Sequence, residues 1–184
     1  MRFEVEQKHP VDDVAALVGR LEQRGVEIGP PIEQADHYFN HPARDYALTD
    51  EALRIRSMGG KSFATYKGPK LDASTKTRRE LELPLDSSDA DGKQFAELLA
   101  ALGFESVAVV RKHRRTFHIE WNGRVVEGAL DDVDGVGSFV ELELQADEAE
   151  LDEARTTIAA IADDLNLGPS ERRSYLELLL TRNG

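Results

Sequence analysis

Residues 2–8 read Arg-Phe-Glu-Val-Glu-Gln-Lys, an alternation of apolar and polar side chains that predicts a β-strand. Because the side chains of a strand point alternately to its two faces, Glu4, Glu6 and Lys8 share one face and the apolar residues share the other. An ordinary half-exposed strand carries mixed polar residues on its solvent face. Here that face has an ordered E-x-E-x-K pattern, which indicates a site that combines acidic and basic groups.

Charged residues occupy one face of the later predicted strands as well. Arg54 and Arg56 alternate with apolar residues, and so do Glu141 and Glu143. The set balances acidic against basic residues: Glu4, Glu6, Glu80, Glu82, Asp131, Glu141 and Glu143, with Lys8, Arg54, Arg56, Lys67, Arg78, Lys112 and Arg114. Burying so many charges is costly unless they are paired or bind ligands. The set therefore predicts phosphate ligands, which suit Arg and Lys, and divalent cations, which suit clustered carboxylates.

The pattern along the chain predicts an α+β protein with an antiparallel sheet and flanking helices. Predicted strands span residues 2–8, 34–40, 52–58, 62–68, 77–85, 106–120, 124–132 and 138–146. Predicted helices run from Pro10 to Gly25, from Ser87 or Ser88 to Leu102, and over 147–166 and 170–181. Such strands, with charged faces inward and apolar faces under the helices, predict a closed barrel with a polar tunnel. Periodicity leaves one alternative, an open antiparallel sheet whose charged face is solvated.

Composition narrows the classes of function. The chain has 184 residues with 40% hydrophobic content, which predicts one domain over residues 1–184. The net charge of −12 disfavours binding to a nucleic-acid backbone. The absence of cysteine excludes thiolate metal sites, so any metal must bind oxygen or imidazole. No apolar stretch approaches the ~18 residues of a membrane span, and we expect a cytoplasmic protein that does not bind membranes.

Short motifs follow one another along the whole chain. In order they are Glu4-x-Glu6-x-Lys8, Asp36-x-Tyr38-Phe39, Thr49-Asp50-Glu51-Ala52-Leu53-Arg54-Ile55-Arg56, Tyr66-Lys67-Gly68-Pro69-Lys70, Arg78-x-Glu80-x-Glu82, Lys112-x-Arg114 with Phe117, Leu130-Asp131-Asp132-Val133, Gly137-Ser138-Phe139-Val140-Glu141-Leu142-Glu143 and Ser174-Tyr175-Leu176-Glu177-Leu178-Leu179. This series resembles the CYTH superfamily, the triphosphate tunnel metalloenzymes. Within that superfamily it resembles the class IV (class 2) adenylyl cyclase branch.

The resemblance implies a fold, a metal site and a substrate site. The fold is a closed antiparallel eight-stranded β-barrel with flanking helices. The metal, Mg²⁺ or Mn²⁺, is implied to bind Glu4, Glu6, Glu141 and Glu143, with Asp131 nearby. The triphosphate is implied to bind Lys8, Arg54, Arg56, Lys67, Arg78, Lys112 and Arg114, and the implied catalytic residues are Lys8, Glu4 and Glu6. Glu80 and Glu82 are either further metal ligands or partners of the arginines, and pairing is favoured because other carboxylates are available for the metal.

Two enzymatic activities and one binding function fit these motifs. A class IV adenylyl cyclase converts ATP to 3′,5′-cyclic AMP and pyrophosphate. A triphosphatase would hydrolyse inorganic tripolyphosphate, thiamine triphosphate or a nucleoside triphosphate with the same residues. A non-catalytic module would bind polyphosphate or a nucleotide, but the complete carboxylate set argues against it. The cyclase-like motifs at 49–56, 66–70 and 174–179 favour the cyclase, whose branch also implies a homodimer.

Overall fold

A computed structural model describes residues 2–69 and 78–182. Two expectations reach beyond these residues: Lys70 of the motif at 66–70 and residue 77 of the predicted strand 77–85 lie outside the described part. The described elements, in chain order, are β1 Arg2–Pro10, α1 Val14–Gln23, β2 Ile32–Asn40, α2 Tyr46–Thr49, β3 Ala52–Met58, β4 Lys61–Lys67, β5 Glu80–Pro84, α3 Lys93–Ala101, β6 Glu105–Trp121, β7 Arg124–Val133, β8 Gly137–Asp147, α4 Leu151–Asp164 and α5 Tyr175–Arg182.

The strands form one antiparallel sheet in the order β1-β8-β7-β6-β2-β3-β4-β5. The two ends of this order approach each other, because Nζ of Lys67 on β4 lies 2.9 Å from a carboxylate oxygen of Glu4 on β1. An isolated antiparallel bridge also joins Glu4 to Arg78, just before β5. These contacts confirm an eight-stranded antiparallel sheet that is strongly curled into a half-barrel. Complete closure of the barrel stays a prediction.

Apolar side chains on the outer face of the sheet pack beneath α1 and α4. Val5 on β1 and Leu142 on β8 are fully buried there, together with Leu17 and Leu21 of α1 and Ile158 of α4. Each such side chain stabilises the fold by roughly 1.5–3 kcal/mol relative to its exposed state. The apolar faces predicted from the alternation thus lie under the helices, and the charged faces are left for the inside of the curl.

Two smaller apolar clusters position the remaining helices. Leu99 of α3 packs against Phe39 and Ile55 on the outside of β2 and β3. Tyr175, the first residue of α5, packs with Phe139 and other residues on the inner side of the sheet. α5 therefore lies over one end of the curl, where it reaches the charged face. None of the helices in residues 2–69 and 78–182 has the length and hydropathy of a membrane-spanning helix.

The prediction that Pro10 opens the first helix is wrong. Pro10 is the last residue of β1 and lies opposite Phe139 of β8. Proline is tolerated at such a strand end because the ladder there does not depend on its missing N–H. The helix begins at Val14, and the side chain of Asp13 caps it by accepting a hydrogen bond from the Ala16 amide at 2.9 Å.

The prediction that Ser87 or Ser88 caps the next helix is also wrong. These serines form a short 3-10 turn over Ser87–Asp89, and α3 begins at Lys93. Its first turn is capped by the Asp89 carboxylate, which accepts hydrogen bonds from the amides of Gln94 and Phe95 at 3.0 Å. Gly92 precedes the helix with φ of 67°, and a Cβ there would lie 2.2 Å from a methyl carbon of Ile55.

The other helix predictions hold with shifted ends. The predicted helix 147–166 begins with a 3-10 turn over Glu148–Glu150 and continues as α4, and the predicted helix 170–181 begins only at Tyr175. The short helix α2 was not predicted, because four residues do not display a helical period. The hairpin predicted at Asn122-Gly123 is present, with both residues at positive φ as a tight two-residue turn requires.

Candidate active site

A cavity of about 670 Å³ lies on the inner face of the curled sheet. Thirteen of the fourteen charged residues predicted for the site line it: Glu4, Glu6, Lys8, Arg54, Arg56, Lys67, Arg78, Glu80, Glu82, Lys112, Arg114, Glu141 and Glu143. Asp131 is the fourteenth and does not line the cavity. The volume is within the usual range for sites that enclose small ligands.

Four basic residues on β3 and β6, which we call the cationic cluster, are Arg54, Arg56, Lys112 and Arg114. The strand between them, β2, contributes the buried carboxylate of Asp36. Arg56 donates to Asp36 from Nε at 2.7 Å and from Nη2 at 2.8 Å, and Arg54 donates from Nη1 at 3.3 Å. Burial acts to raise the pKa of Asp36, but the charges of Arg54 and Arg56 outweigh it and hold the pKa well below its usual range.

A second buried carboxylate, Asp131 on β7, holds the other half of the cationic cluster. It accepts hydrogen bonds from Nζ of Lys112 at 3.1 Å and from Nε and Nη2 of Arg114 at 2.7 and 2.5 Å. Tyr175 of α5 adds a hydroxyl donor at 2.8 Å. Burial, and then the charge of Arg114, lower the pKa of Lys112 to about 8. Asp131 is thus fully occupied by cations and a hydroxyl, and these contacts leave its predicted metal binding untested.

Four carboxylates on β1 and β8, which we call the acidic cluster, are Glu4, Glu6, Glu141 and Glu143. Glu6 lies directly opposite Glu143 in the register of the two strands, a pairing of like charges that destabilises a sheet. Burial, and then the charges of Glu4 and Glu6, raise the pKa of Glu143 to about 8. Burial also raises the pKa of Glu4 above its ordinary value. The acidic cluster therefore has more negative charge than its surroundings compensate.

Lys67 connects the acidic cluster with the opposite edge of the sheet. Its ammonium lies 2.9 Å from Glu4 and 2.7 Å from Glu80. Burial acts to raise the pKa of Glu80, but hydrogen bonding with Glu4 and the charge of Lys67 lower it to about 2. Glu82 accepts a hydrogen bond from the hydroxyl of Thr65 at 3.2 Å. Glu80 is therefore an ion-pair partner of Lys67 in this structure. The predicted pairing with the arginines and the alternative of metal binding by Glu80 or Glu82 both stay predictions.

Lys8 contacts the segment that leads into α5. Its side chain is 1% exposed, and Nζ donates to the backbone carbonyl of Arg173 at 2.5 Å. The ring of Tyr175 lies 4.1 Å from the same ammonium and 4.9 Å from that of Lys112. An aromatic face at this distance attracts a cation. The side chain of Lys8 therefore links β1, on which it lies, to the beginning of α5.

Two arginines that line the cavity have a buried donor without an acceptor. Nε of Arg54 and Nε of Arg78 make no hydrogen bond within residues 2–69 and 78–182. A buried donor left unpaired costs about 1–3 kcal/mol. Both guanidinium groups line the cavity, and guanidinium groups suit a phosphate-bearing ligand.

The side chains of the acidic cluster have the donor chemistry that a divalent metal ion requires. Carboxylate oxygens are the ligands that Mg²⁺ and Mn²⁺ prefer, and the like-charge pair of Glu6 and Glu143 is relieved by a cation. No three His, Asp or Glu side chains in the described ranges are gathered into a ready-made metal site. Glu4 instead pairs with Lys67, and Glu141 pairs with Arg114. The donor chemistry fits a hard divalent cation, which would have to compete with these two ion pairs.

Sequence reasoning did not assign three residues that the structure brings to this site. Asp36 and Tyr175 appeared only as parts of motifs, and Glu127 not at all, although Glu127 lines the cavity opposite Glu143. The alternation of β2 places Asp36 and Tyr38 on one face, which is a usable signal. The contact of Asp36 with Arg56 depends on the pairing register of β2 and β3, which the sequence does not state.

Comparison with known proteins places this site in a family context. The sequence model of the CYTH domain family matches residues 2–175 of this chain. A protein of Methanocaldococcus jannaschii named "putative adenylate cyclase" is 39% identical over 179 residues, which are 96% of this chain and 98% of that protein.

Solved structures share the fold. The protein PH1819 of Pyrococcus horikoshii is 39% identical, with a TM-score of 0.85 over 97% of this chain and 98% of that one. A Hippeastrum protein described as a putative adenylyl cyclase with a dominant triphosphatase activity is 16% identical, with a TM-score of 0.66 over 98% and 96% of the two chains. At that identity the Hippeastrum protein supports the fold alone.

Proposed function

Since this chain belongs to the CYTH family, we propose that it is a metal-dependent adenylyl cyclase that converts ATP to 3′,5′-cyclic AMP and pyrophosphate. One observation carries the proposal: the acidic and cationic clusters line the same cavity, whose size suits a nucleotide. The archaeal relative named as an adenylate cyclase supports the choice of reaction. We further propose that β1 and β5 close the barrel around the triphosphate. A homodimer and a cytoplasmic location stay predictions.

The cationic cluster would bind the triphosphate. Guanidinium groups match phosphate oxygens with paired hydrogen bonds, while a lysine supplies a point charge. Arg78, which also lines the cavity, adds a further guanidinium group. We assign Lys8, Lys67, Lys112 and Arg114 to the same phosphates. As pyrophosphate leaves, these groups stabilise the charge that develops on it.

The acidic cluster would hold the metal. We assign Glu4, Glu6, Glu141 and Glu143 as the ligands of Mg²⁺ or Mn²⁺. We assign Asp131 to pairing with the side chains of Lys112 and Arg114, which it already contacts. When bound, such a metal would supply positive charge that stabilises the phosphates and would lower the pKa of the attacking hydroxyl. The residues of the chain would fix the triphosphate so that the 3′-oxygen, whose proton passes to solvent, attacks the α-phosphorus as the bond to the departing pyrophosphate breaks.

The test is product analysis with purified protein, Mg²⁺ or Mn²⁺, and ATP, inorganic tripolyphosphate and thiamine triphosphate in parallel reactions. We expect cyclic AMP and pyrophosphate from ATP. Glu6→Gln should abolish formation of cyclic AMP. Glu33→Gln, at an exposed position on β2, is the matched control. Orthophosphate without cyclic AMP would establish a triphosphatase instead. Ligand binding without turnover of any substrate would establish a binding module.

A further inference from the structure

Asp36 lies behind the cationic cluster rather than in the cavity. It is 2% exposed and does not line the cavity, whereas its partners Arg54 and Arg56 do. In the register of the sheet it lies opposite Arg56 on β3 and opposite Val110 on β6. The carboxylate therefore contacts the guanidinium groups from outside the lining of the cavity, where a substrate does not reach it.

The hydrogen bonds to Asp36 occupy only some of the N–H groups of each guanidinium. Nε and Nη2 of Arg56 and Nη1 of Arg54 donate to the carboxylate. A guanidinium has five N–H donors in a fixed plane, so each arginine keeps donors for another acceptor. Nε of Arg54 is buried and makes no hydrogen bond within the described residues. One carboxylate thus holds two guanidinium groups, and both arginines line the cavity.

Charge repulsion makes this support necessary. Arg54 and Arg56 share one face of β3, and Lys112 is also close enough to act on Asp36 by its charge. Like charges so placed repel each other when no anion lies between them. The depressed pKa of Asp36 keeps its carboxylate ionised at neutral pH. The counter-anion is therefore present before any phosphate arrives.

We propose that Asp36 is a positioning residue that orients Arg54 and Arg56 for the triphosphate. This inference rests on the proposed function only in requiring a triphosphate ligand, and it does not depend on whether that ligand is cyclised or hydrolysed. Preorganised donors bind more strongly than donors that must be ordered on binding.

The test compares Asp36→Asn with the parent in binding inorganic tripolyphosphate, measured by titration calorimetry in a chelator without metal. A counter-charge effect alone predicts tighter binding, because the variant removes a negative charge near an anion site. Positioning predicts weaker binding, by roughly 10- to 100-fold, because charged hydrogen bonds that orient the arginines are lost. Tighter or unchanged binding would overturn the proposal.

Asp89→Asn is the matched control for loss of stability. Asp89 is also buried and also accepts two hydrogen bonds, but from the backbone of α3 and outside the cavity. We expect this control to lower the melting temperature and to leave the affinity for tripolyphosphate unchanged. If both variants weaken binding equally, Asp36 has only a structural role and the proposal is wrong.

Asp36→Glu keeps the test decisive if Asp36→Asn does not fold. It preserves the charge but displaces the carboxylate by one methylene, so the proposal expects weaker binding in a folded protein. Affinity equal to that of the parent would reject it. Failure of the proposed function is recognised separately: a parent that binds tripolyphosphate but forms no cyclic AMP removes the cyclase and leaves the role of Asp36 intact. A parent that binds neither ATP nor tripolyphosphate removes both.

Discussion

The cationic and acidic clusters line one cavity but differ in how their charges are compensated. Buried carboxylates hold the cationic cluster, with Asp36 bound to Arg54 and Arg56 and Asp131 bound to Lys112 and Arg114. The acidic cluster instead contains carboxylates that oppose each other across β1 and β8, and the pKa of one of them is raised to about 8. The comparison teaches that buried carboxylates compensate the cationic cluster, whereas carboxylates oppose each other within the acidic cluster.

Removing a member of the cationic cluster should cause the largest loss of stability. Arg114→Met leaves Asp131 and Glu141 without a major partner in a buried site. Breaking a buried ion pair in this way costs about 3–5 kcal/mol, which corresponds to a fall in melting temperature on the order of 10 °C for a chain of this size. Thermal denaturation in metal-free buffer measures it. Arg111→Met, an exposed position on the same strand, should change little, and an equally small change in both would contradict the comparison.

Removing a member of the acidic cluster should instead reduce activity and spare stability. Glu143→Gln removes a proposed metal ligand, and we expect cyclic AMP formation to fall by about 100-fold or more, since a metal supplies several kcal/mol to such a transition state. Because the raised pKa keeps Glu143 largely protonated near neutral pH without metal, the neutral Gln resembles it, and the melting temperature without metal should equal or exceed that of the parent. The exposed position altered in Glu97→Gln is the control. A variant that keeps more than a tenth of the activity would disprove the assignment.

The pH dependence of stability should also separate the two clusters. The pKa of Glu143 is raised in the folded protein to about 8 from an ordinary value of 4.5. Between these two pH values the folded protein retains a proton that the unfolded chain has lost. The stabilisation is therefore complete below pH 4.5 and is lost as the pH rises through about 8. Urea denaturation in a chelator should therefore show the parent losing stability over this window relative to Glu143→Gln. Parallel curves for the two proteins would show that Glu143 titrates normally.

The hydroxyl of Tyr175 should have the smallest effect of the four. Tyr175→Phe removes one hydrogen bond to Asp131 while Lys112 and Arg114 still compensate the carboxylate. We expect a loss of about 1–2 kcal/mol in the free energy of unfolding. Tyr66→Phe, which removes a bond to Glu51 nearer the surface, provides the comparison and should cost less. A loss of 4 kcal/mol for Tyr175→Phe would mean that the other partners do not hold Asp131.

Much of the fold could be predicted because strand alternation is a local property. All eight strands were expected near their observed positions. In the part of the chain that the structure describes, β5 begins at Glu80, and residue 77, where that strand was predicted to begin, lies outside this part. The errors at Pro10 and Ser87 concern helix starts, where several residues offer similar capping chemistry. The roles of Asp36 and Asp131 were not predictable in the same way, since each depends on side chains from neighbouring strands.

The sequence by itself determined which residues share a face, because the period of two in a strand fixes this without knowledge of the fold. It therefore identified the charged residues of the cavity and, through their motifs, the CYTH family. Only the tertiary structure decided which charges meet. Strand order and register place Asp36 against Arg54 and Arg56, and Glu6 against Glu143. Coulomb interactions depend on distance, and distance between strands far apart in sequence is a property of the folded chain.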